Sequence, residues 1–374
     1  MSTNSANSLA GQWIGENDGD PEGTMVMDLD SIDGIAKGVL YLYPKGDDLP
    51  SSLAPIEAED FLTKFDISCT PIHFIADNGY IPNWSELSDR FPGVRLPQVV
   101  DGIFTPIDAG TINLSWKTEI GTGGSARLIR SVAATNSRVI ANNQVKTWAE
   151  FQAFVTDKPN LGWVFRGQSQ PWPLMTSFHR TNRRDLRRYF HEDLKRLHNA
   201  LSARTKHLFN LENPIELGAF FNLAQHHGFP TPLLDWTRSP FVAAFFAYKD
   251  TNPNQKEPIR IYAFNRTLYQ QKYHQLTHLN LVKPHFSNLE TLAIENERAI
   301  PQQGVLNLTN LEDIERFIQN LQEADGQTYL HAFDLPAYEA KKAIGDLRLM
   351  GITKASMFPG IESICEELRD LNFS

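Results

Sequence analysis

Arg166 stands directly behind the apolar run Trp163-Val164-Phe165 and in front of Gly167, with Gln168 and Trp172 close after. A guanidinium at the end of a strand presents a forked set of donors that suits phosphate or carboxylate oxygens. Its plainer role is that of a surface cation in an ion pair, the commoner fate of an arginine. A second group, Asp235-Trp236-Thr237-Arg238-Ser239-Pro240, lies between a short apolar run and an apolar segment that begins at Phe241. Read as strand, polar turn and helix start, it gathers free N–H groups, hydroxyls and a dipole end where an anion such as pyrophosphate can sit. The same side chains also suit local bonding to their own backbone. A third group places Glu295, Glu297, Arg298, Gln302 and Gln303 just ahead of an expected strand from Gly304. His226 and His227 close an expected helix, where the dipole favours a protonated imidazole. No further ligand stands at metal spacing, so no metal site is expected.

These residues need elements to hold them, and the chain divides into three parts. Residues 1–134 read as an antiparallel β domain, a small sandwich or barrel: β-prone runs at Gly11–Gly15, Thr24–Asp28, Gly38–Tyr43, Gly110–Trp116 and Ala126–Arg130 are separated by Gly, Asp, Asn and Pro clusters. A partner-binding or structural role is expected for it ahead of a ligand-holding barrel. Residues 135–146 form a polar connector. From 147 to 374 the pattern is α+β. Thr147 and Glu150 make a capping box for a helix over Trp148–Val155. Leu186, Tyr189, Phe190, Leu194, Leu197 and Leu201 recur at helical spacing. Asn213-Pro214-Ile215-Glu216 is a helix start with an acid placed to answer the cap, and Gly228 suits the end of that helix. Strands are expected at Ile259–Phe264 and Tyr329–Phe333 and helices near Ala337–Met350 and Gly360–Leu371, with Leu347, Leu349, Ile352, Met357 and Phe358 as ordinary core.

Charge separates the parts. Residues 1–135 hold 8 Lys+Arg against 19 Asp+Glu, and the rest 27 against 25. An acidic N-terminal part facing a basic site on the other follows from that asymmetry. Between Arg180 and Lys206 there are 9 basic and 3 acidic residues, either a solvated helix face or one that attracts phosphate or nucleic acid. The N-terminal residues lack the basic start and apolar run of a secretory signal, and no apolar run reaches membrane-span length, so a cytoplasmic protein without membrane contact is expected. Cys69 and Cys365 are expected as reduced packing residues.

Phe165-Arg166-Gly167, Gln225-His226-His227-Gly228, Leu233-Leu234-Asp235-Trp236-Thr237, Ser239-Pro240, Ala243-Ala244-Phe245, and Arg298 with Gln302 and Gly304, taken together, resemble the FRG-domain family, named for its Phe-Arg-Gly motif. The resemblance spans roughly residues 145–370 and leaves out the β domain. More distantly, the order of Arg166, Thr237/Ser239 and Glu295/Glu297 is similar to that of toxin-type ADP-ribosyltransferases. That similarity implies NAD as the bound nucleotide. Arg166 would clamp phosphate, and Gln168, Asp235, Thr237, Ser239, Arg298 and Gln302 would be the further contacts. Glu297, or Glu295, would be the acid that favours the oxocarbenium-like state as nicotinamide leaves. A bacterial toxin or anti-phage effector with a macromolecular acceptor fits this reading, its β domain contacting a partner or the FRG domain. Trp236 departs from the transferase pattern, which has a small hydroxyl residue there. A non-catalytic nucleotide- or protein-binding module therefore stays open, as does a nuclease-like toxin using His226 or His227 with the basic helix around Arg183–Arg188.

Overall fold

The computed structural model of the chain describes residues 7–76, 80–157 and 162–373. Nine strands come first: β1 (Gly11–Asn17), β2 (Gly23–Ile32), β3 (Ile35–Pro44), β4 (Ser51–Glu59), β5 (Phe65–Cys69), β6 (Ile72–Phe74), β7 (Val100–Asp108), β8 (Thr111–Thr118) and β9 (Gly123–Ser131), with a short helix α1 (Trp84–Arg90) between β6 and β7. They pair antiparallel in the order β5-β7-β8-β9-β1-β2-β3-β4-β6, one sheet curled into a half-barrel, so of the two expected shapes the barrel is the nearer. Alternation along β2 explains the curl's two uses. Met25, Met27 and Leu29 enter the core of the half-barrel, while Val26, Asp28 and Asp30 are buried on the opposite side. A strand buried on both faces must be covered twice, and the second cover is the rest of the chain.

The α+β region carries six antiparallel strands: β10 (Trp163–Gln168), β11 (Leu233–Thr237), β12 (Ile259–Asn265), β13 (Phe286–Leu289), β14 (Gly304–Thr309) and β15 (Leu330–Leu335), in the order β13-β14-β11-β10-β12-β15. β10 and β12 share six register pairs and β11 and β14 share five. Among the described residues a single pair, Phe165 with Thr237, joins β10 to β11. The sheet is therefore two three-stranded halves that part beside Arg166.

Helices α2 (Trp148–Asp157), α3 (Leu186–Arg188), α4 (Leu194–Ser202), α5 (Pro214–His226) and α6 (Pro240–Tyr248) come before or between the first strands of this sheet. Five more follow: α7 (Arg266–Lys272), α8 (Ile314–Asp325), α9 (Ala340–Leu349), α10 (Lys354–Met357) and α11 (Ile361–Phe373). The capping box at Thr147 and Glu150 forms as expected, with both reciprocal bonds made, at 3.1 and 3.2 Å. The expected helix from Leu186 is interrupted by a π turn at Tyr189–Asp193. Tyr189 and Leu194 are five residues apart and both buried, and the wider turn puts them on one face. Asn213 caps α5, but Glu216 does not answer it. Its carboxylate accepts instead from His207 and from the Asn210 amide, at 3.0 and 2.8 Å.

Apolar residues of α5 pack with Leu233, Leu306 and Leu308, and those of α6 with Phe165, Ile261 and Ala263. Val164, Leu234, Trp236 and Tyr262 fill a separate core with Ile314 and Ile318 of α8. Leu347 and Met357 are core as expected, but Leu349 is 89 % exposed, because it lies in the last turn of α9 on the side away from the sheet. Cys69 is half-buried and Cys365 exposed on α11, so the second is not a packing residue. Among the described residues no helix is long and apolar enough to cross a membrane.

The acidic and basic halves meet at β2. Asp30 accepts from Arg183 Nε at 2.9 Å and from the backbone amides of Arg184 and Asp185 at 2.6 and 3.1 Å. Arg184 is forked onto Glu312, both buried. Gln12 Nε2 donates to Asp28 and to the Asn310 carbonyl, and its Oε1 accepts from the Glu312 amide. Tyr43 Oη donates to the Val282 carbonyl at 2.6 Å. Burial holds the carboxyls of Asp28 and Glu312 above the usual range, and raises that of Asp185 to about 6. The expected attraction between the halves is thus a built contact, and part of the basic segment 180–206 is consumed in it.

Candidate functional site

The strand that carries Arg166 is shaped by its neighbours on either side in sequence. Phe165 is buried against the helices on one face. Gly167 lies directly under α6: a β-carbon there would stand 1.8 Å from the Ala243 carbonyl oxygen and 2.8 Å from the Ala247 amide nitrogen. Only glycine allows so close a crossing. The Phe-Arg-Gly run is therefore an anchor, a functional side chain and a point of backbone contact. Arg166 is not at the strand end, as its sequence context suggests, but within β10, opposite Tyr262 of β12.

From there Arg166 Nη1 reaches over the parting of the sheet and donates to the Asp235 carbonyl oxygen at 2.8 Å. Its Nε is buried without a partner among the described residues. Burial pushes the guanidinium below its ordinary value and the Asp235 carboxylate opposes that shift, leaving a cation at neutral pH. The parting opens into a cavity of about 360 Å³. Arg166 and Phe246 form part of one wall, Gln225 and His226 of another, and Asp235, Thr237, Gln302 and Phe358 complete it.

The polar lining is held from behind. Gln225 Nε2 donates to Asp235 Oδ2, and Gln225 Oε1 accepts from the Thr231 hydroxyl, so the amide cannot turn without losing one of the two. His226 Nδ1 is 2.8 Å from both the Asn222 carbonyl and Asn296 Nδ2, and its Nε2 faces Gln302 Oε1 at 3.4 Å. Gln302 Nε2 donates to the Met357 carbonyl at 2.9 Å, tying the C-terminal segment to the rim beside Phe358.

Of the residues singled out in the sequence, Arg166, Asp235, Thr237, Gln302 and His226 are brought together. The others lie apart. Ser239 accepts from the Val242 amide as the cap of α6, and Thr237 Oγ1 accepts from the Ser239 amide, so that helix start is closed by its own hydroxyls. Gln168 faces the Trp172 carbonyl at 3.4 Å. Arg298 lies over the Phe358 ring at 5.6 Å, behind the lining. Glu295 is exposed and accepts from the His207 amide, and Glu297 is exposed outside the cavity. His227 ends α5 exposed to solvent. Trp236, the departure from the transferase pattern, is buried with its ring beside Phe264 and contributes to the cavity lining between Asp235 and Thr237. From sequence, Gln225 is only part of a family motif, Phe358 is ordinary core, and Phe246 has no role. Gln225 sits one residue before His226, and its chemistry was legible there. Phe358 is far along the chain and looks like any core aromatic.

A half-barrel docked on a parted α+β sheet thus leaves a cation and a carboxylate at the mouth of one cavity. Residues 162–256 match the family model described as FRG domain. The match takes in β10, α5, β11 and α6, hence three walls of the cavity. Ala299, Gln302, Gly304 and Phe358 close it from beyond the matched residues. No curated protein and no solved structure matches the chain.

Proposed function

We propose that the cavity at the sheet parting binds a nucleotide of the NAD type, and that the chain is an ADP-ribosyltransferase-like effector. The observation that carries this is Arg166: a cation fixed across the parting by one bond, with a buried donor still unengaged, on a cavity that also offers a carboxylate. Guanidinium and diphosphate match in charge and geometry. The volume is in the range of small-molecule sites, roughly 300–1,000 Å³, and suits part of a dinucleotide with the remainder in solvent.

Within that reading Arg166 holds phosphate. Asp235, steadied by Gln225, is the carboxylate positioned to accept from a ribose hydroxyl, a role that neither Glu295 nor Glu297 is near enough to the cavity to take. Gln302 and His226 supply amide and imidazole groups that orient the ligand, and Phe246 and Phe358 give it an apolar side. NAD, when bound, supplies the labile nicotinamide–ribose bond. The macromolecular acceptor and any role in anti-phage defence belong to the same proposal and rest on the resemblance alone.

Calorimetric titration with NAD and with ADP-ribose, followed by assay of nicotinamide release, tests the proposal. Binding lost in Arg166→Ala supports it. Equal binding in a folded Arg166→Ala variant, or no binding by the wild type, overturns it. Binding without nicotinamide release selects a nucleotide-binding module instead of an enzyme.

A further inference from the structure

A second cavity lies inside the half-barrel, away from the sheet parting. It measures about 330 Å³ and its walls are almost wholly apolar, with Met25 of β2, Leu40 and Leu42 of β3, Ile67 of β5 and Leu114 and Trp116 of β8 among them. Segments 49–50 and 94–97, which include Pro50 and Pro97, cover its open side. The latter segment is tied down at its end, where Glu119 accepts from the amides of Gln98 and Val99 at 2.6 and 2.9 Å.

One residue shows how the space arises. In the register across β5, β7 and β8, Ile67 pairs with Gly102, and Gly102 with Trp116. The middle side chain of that row is missing. Gly102 does not need glycine for its backbone, since its φ lies outside the left-handed region, and a β-carbon would meet Ile67 Cγ1 at 3.1 Å and Leu114 Cδ1 at 3.5 Å. Glycine inside a strand weakens the strand and commonly marks a place kept open for close approach. Here it keeps the floor of the cavity clear.

The polar lining is sparse: His73, Ser52, Asp20, Arg95 and the paired hydroxyls of Thr118 and Thr122. Among the described residues the His73 side chain has one long polar contact, 3.4 Å, to the Pro97 carbonyl. Arg95 is exposed. An apolar hollow with a few polar groups is the usual build of a small-molecule site. Its volume is about twice that of a 150 Å³ cavity that holds benzene, which corresponds to roughly a dozen heavy atoms.

From these features we infer that the half-barrel is itself a binding site for a small, mainly apolar molecule with a single hydrogen-bonding end. The apolar body occupies the space above Gly102, and the polar end meets His73 or Arg95. The site is independent of the Arg166 cavity and of the reading given to it.

Displacement of the fluorescent probe 1-naphthylamine, whose size matches the hollow, from the full chain by decanol, decanoate and decylamine tests it. The expected result is saturable one-to-one binding of the probe, with displacement by decanol or decanoate. Gly102→Val and Leu42→Phe fill the hollow, and each should weaken probe binding at least tenfold, Leu42→Phe without lowering the melting temperature and Gly102→Val with Ile67 displaced from its 3.1 Å contact, whereas Arg166→Ala should leave probe binding unchanged. Preference for decanoate assigns the polar end to Arg95, and equal displacement by decanol assigns it to His73. Should Gly102→Val fail to fold, Leu42→Phe decides alone. Absence of saturable binding, displacement by decylamine alone, or probe binding undiminished in the filled variants overturns the inference, the last meaning an adventitious additive only.

Discussion

Gly167 and Ala243 touch so closely that α6 could not lie on β10 if either backbone carried one more carbon between them: the missing β-carbon of Gly167 would stand 1.8 Å from the Ala243 carbonyl oxygen. Gly167→Ala must therefore lift the helix that walls the cavity. We expect a loss of about 3 kcal/mol in unfolding free energy, at the upper end for overpacking. Chemical denaturation measures it, and a loss under about 1 kcal/mol would contradict so tight a crossing.

Arg166→Ala removes the cation and its bond to the Asp235 carbonyl while leaving Phe165 and Gly167 in place. Affinity for NAD or ADP-ribose should fall by roughly 10- to 100-fold, the worth of a charge-assisted hydrogen bond. Arg166→Lys should recover only part of that, because a point charge lacks the fork. Circular dichroism separates this from misfolding.

Asp235→Asn retains an oxygen for the Gln225 amide and removes the charge. Nucleotide affinity should change little, within about threefold, while any nicotinamide release should fall by about 100-fold or more, as for loss of a group that stabilises charge in the transition state. Equal turnover in the variant would take Asp235 out of the chemistry.

Asp30 holds Arg183 and two backbone amides at the contact between the half-barrel and the α+β region. Asp30→Ala strands the two backbone amides in a buried setting and leaves Arg183 to Asp193 alone, which costs about 3 kcal/mol. Limited proteolysis should then cut faster in segment 132–146, and unfolding should split into two transitions. A single unshifted transition would show that the other contacts suffice.

Asp185 sets a pH dependence. Its carboxyl is raised by burial from 3.8 to about 6, with Asp30 adding to the rise and Arg188's amide, Arg187 and Arg183 opposing it. A carboxyl raised on folding is protonated in the native state and ionised in the unfolded one between those two values. Its contribution to stability is therefore fully present below pH 4 and is lost as pH rises through 6. Asp28 and Glu312, also raised, add in the same direction. Burial lowers His179 and His285 to about 3, and their contribution rises with pH over the same range, so the readout is the difference between proteins. The stability of Asp185→Asn relative to wild type should rise between pH 4 and 6, its side chain still accepting from the Arg188 amide. A difference that stays flat over that range would remove Asp185 as a source of the pH dependence.

Much of this was legible in the sequence, for physical reasons that differ by residue. Strand alternation and caps are local, so Thr147 with Glu150, Asn213 and Ser239 announced their helices correctly. The charge asymmetry foretold the contact at Asp30, since opposite charges in one chain seek each other. Arg166 and Asp235 could be named as candidates from residue type and from their places beside a strand and a polar turn, although an ion pair and local backbone bonding suited the same residues. What stayed hidden was long-range. Phe358 and Gln302 reach the cavity through the return of the C-terminal segment, which no local pattern encodes. Glu295 and Glu297 look catalytic by type and order, yet turn away because the segment before β14 is held by Asn296 and His226. Gly102 reads as an ordinary strand glycine until its neighbours across the sheet are known.

The parting of the six-stranded sheet has a mechanical meaning. Among the described residues one pair, Phe165 with Thr237, joins β10 to β11, so the two halves share a single point of ladder contact. Side-chain clasps hold the cavity rim besides: Arg166 on the Asp235 carbonyl, worth about 1.5–3 kcal/mol, and Gln302 on the Met357 carbonyl, worth about 1 kcal/mol. A ligand that takes over the Arg166 clasp would exchange one bond for another and could reset the gape without breaking either ladder.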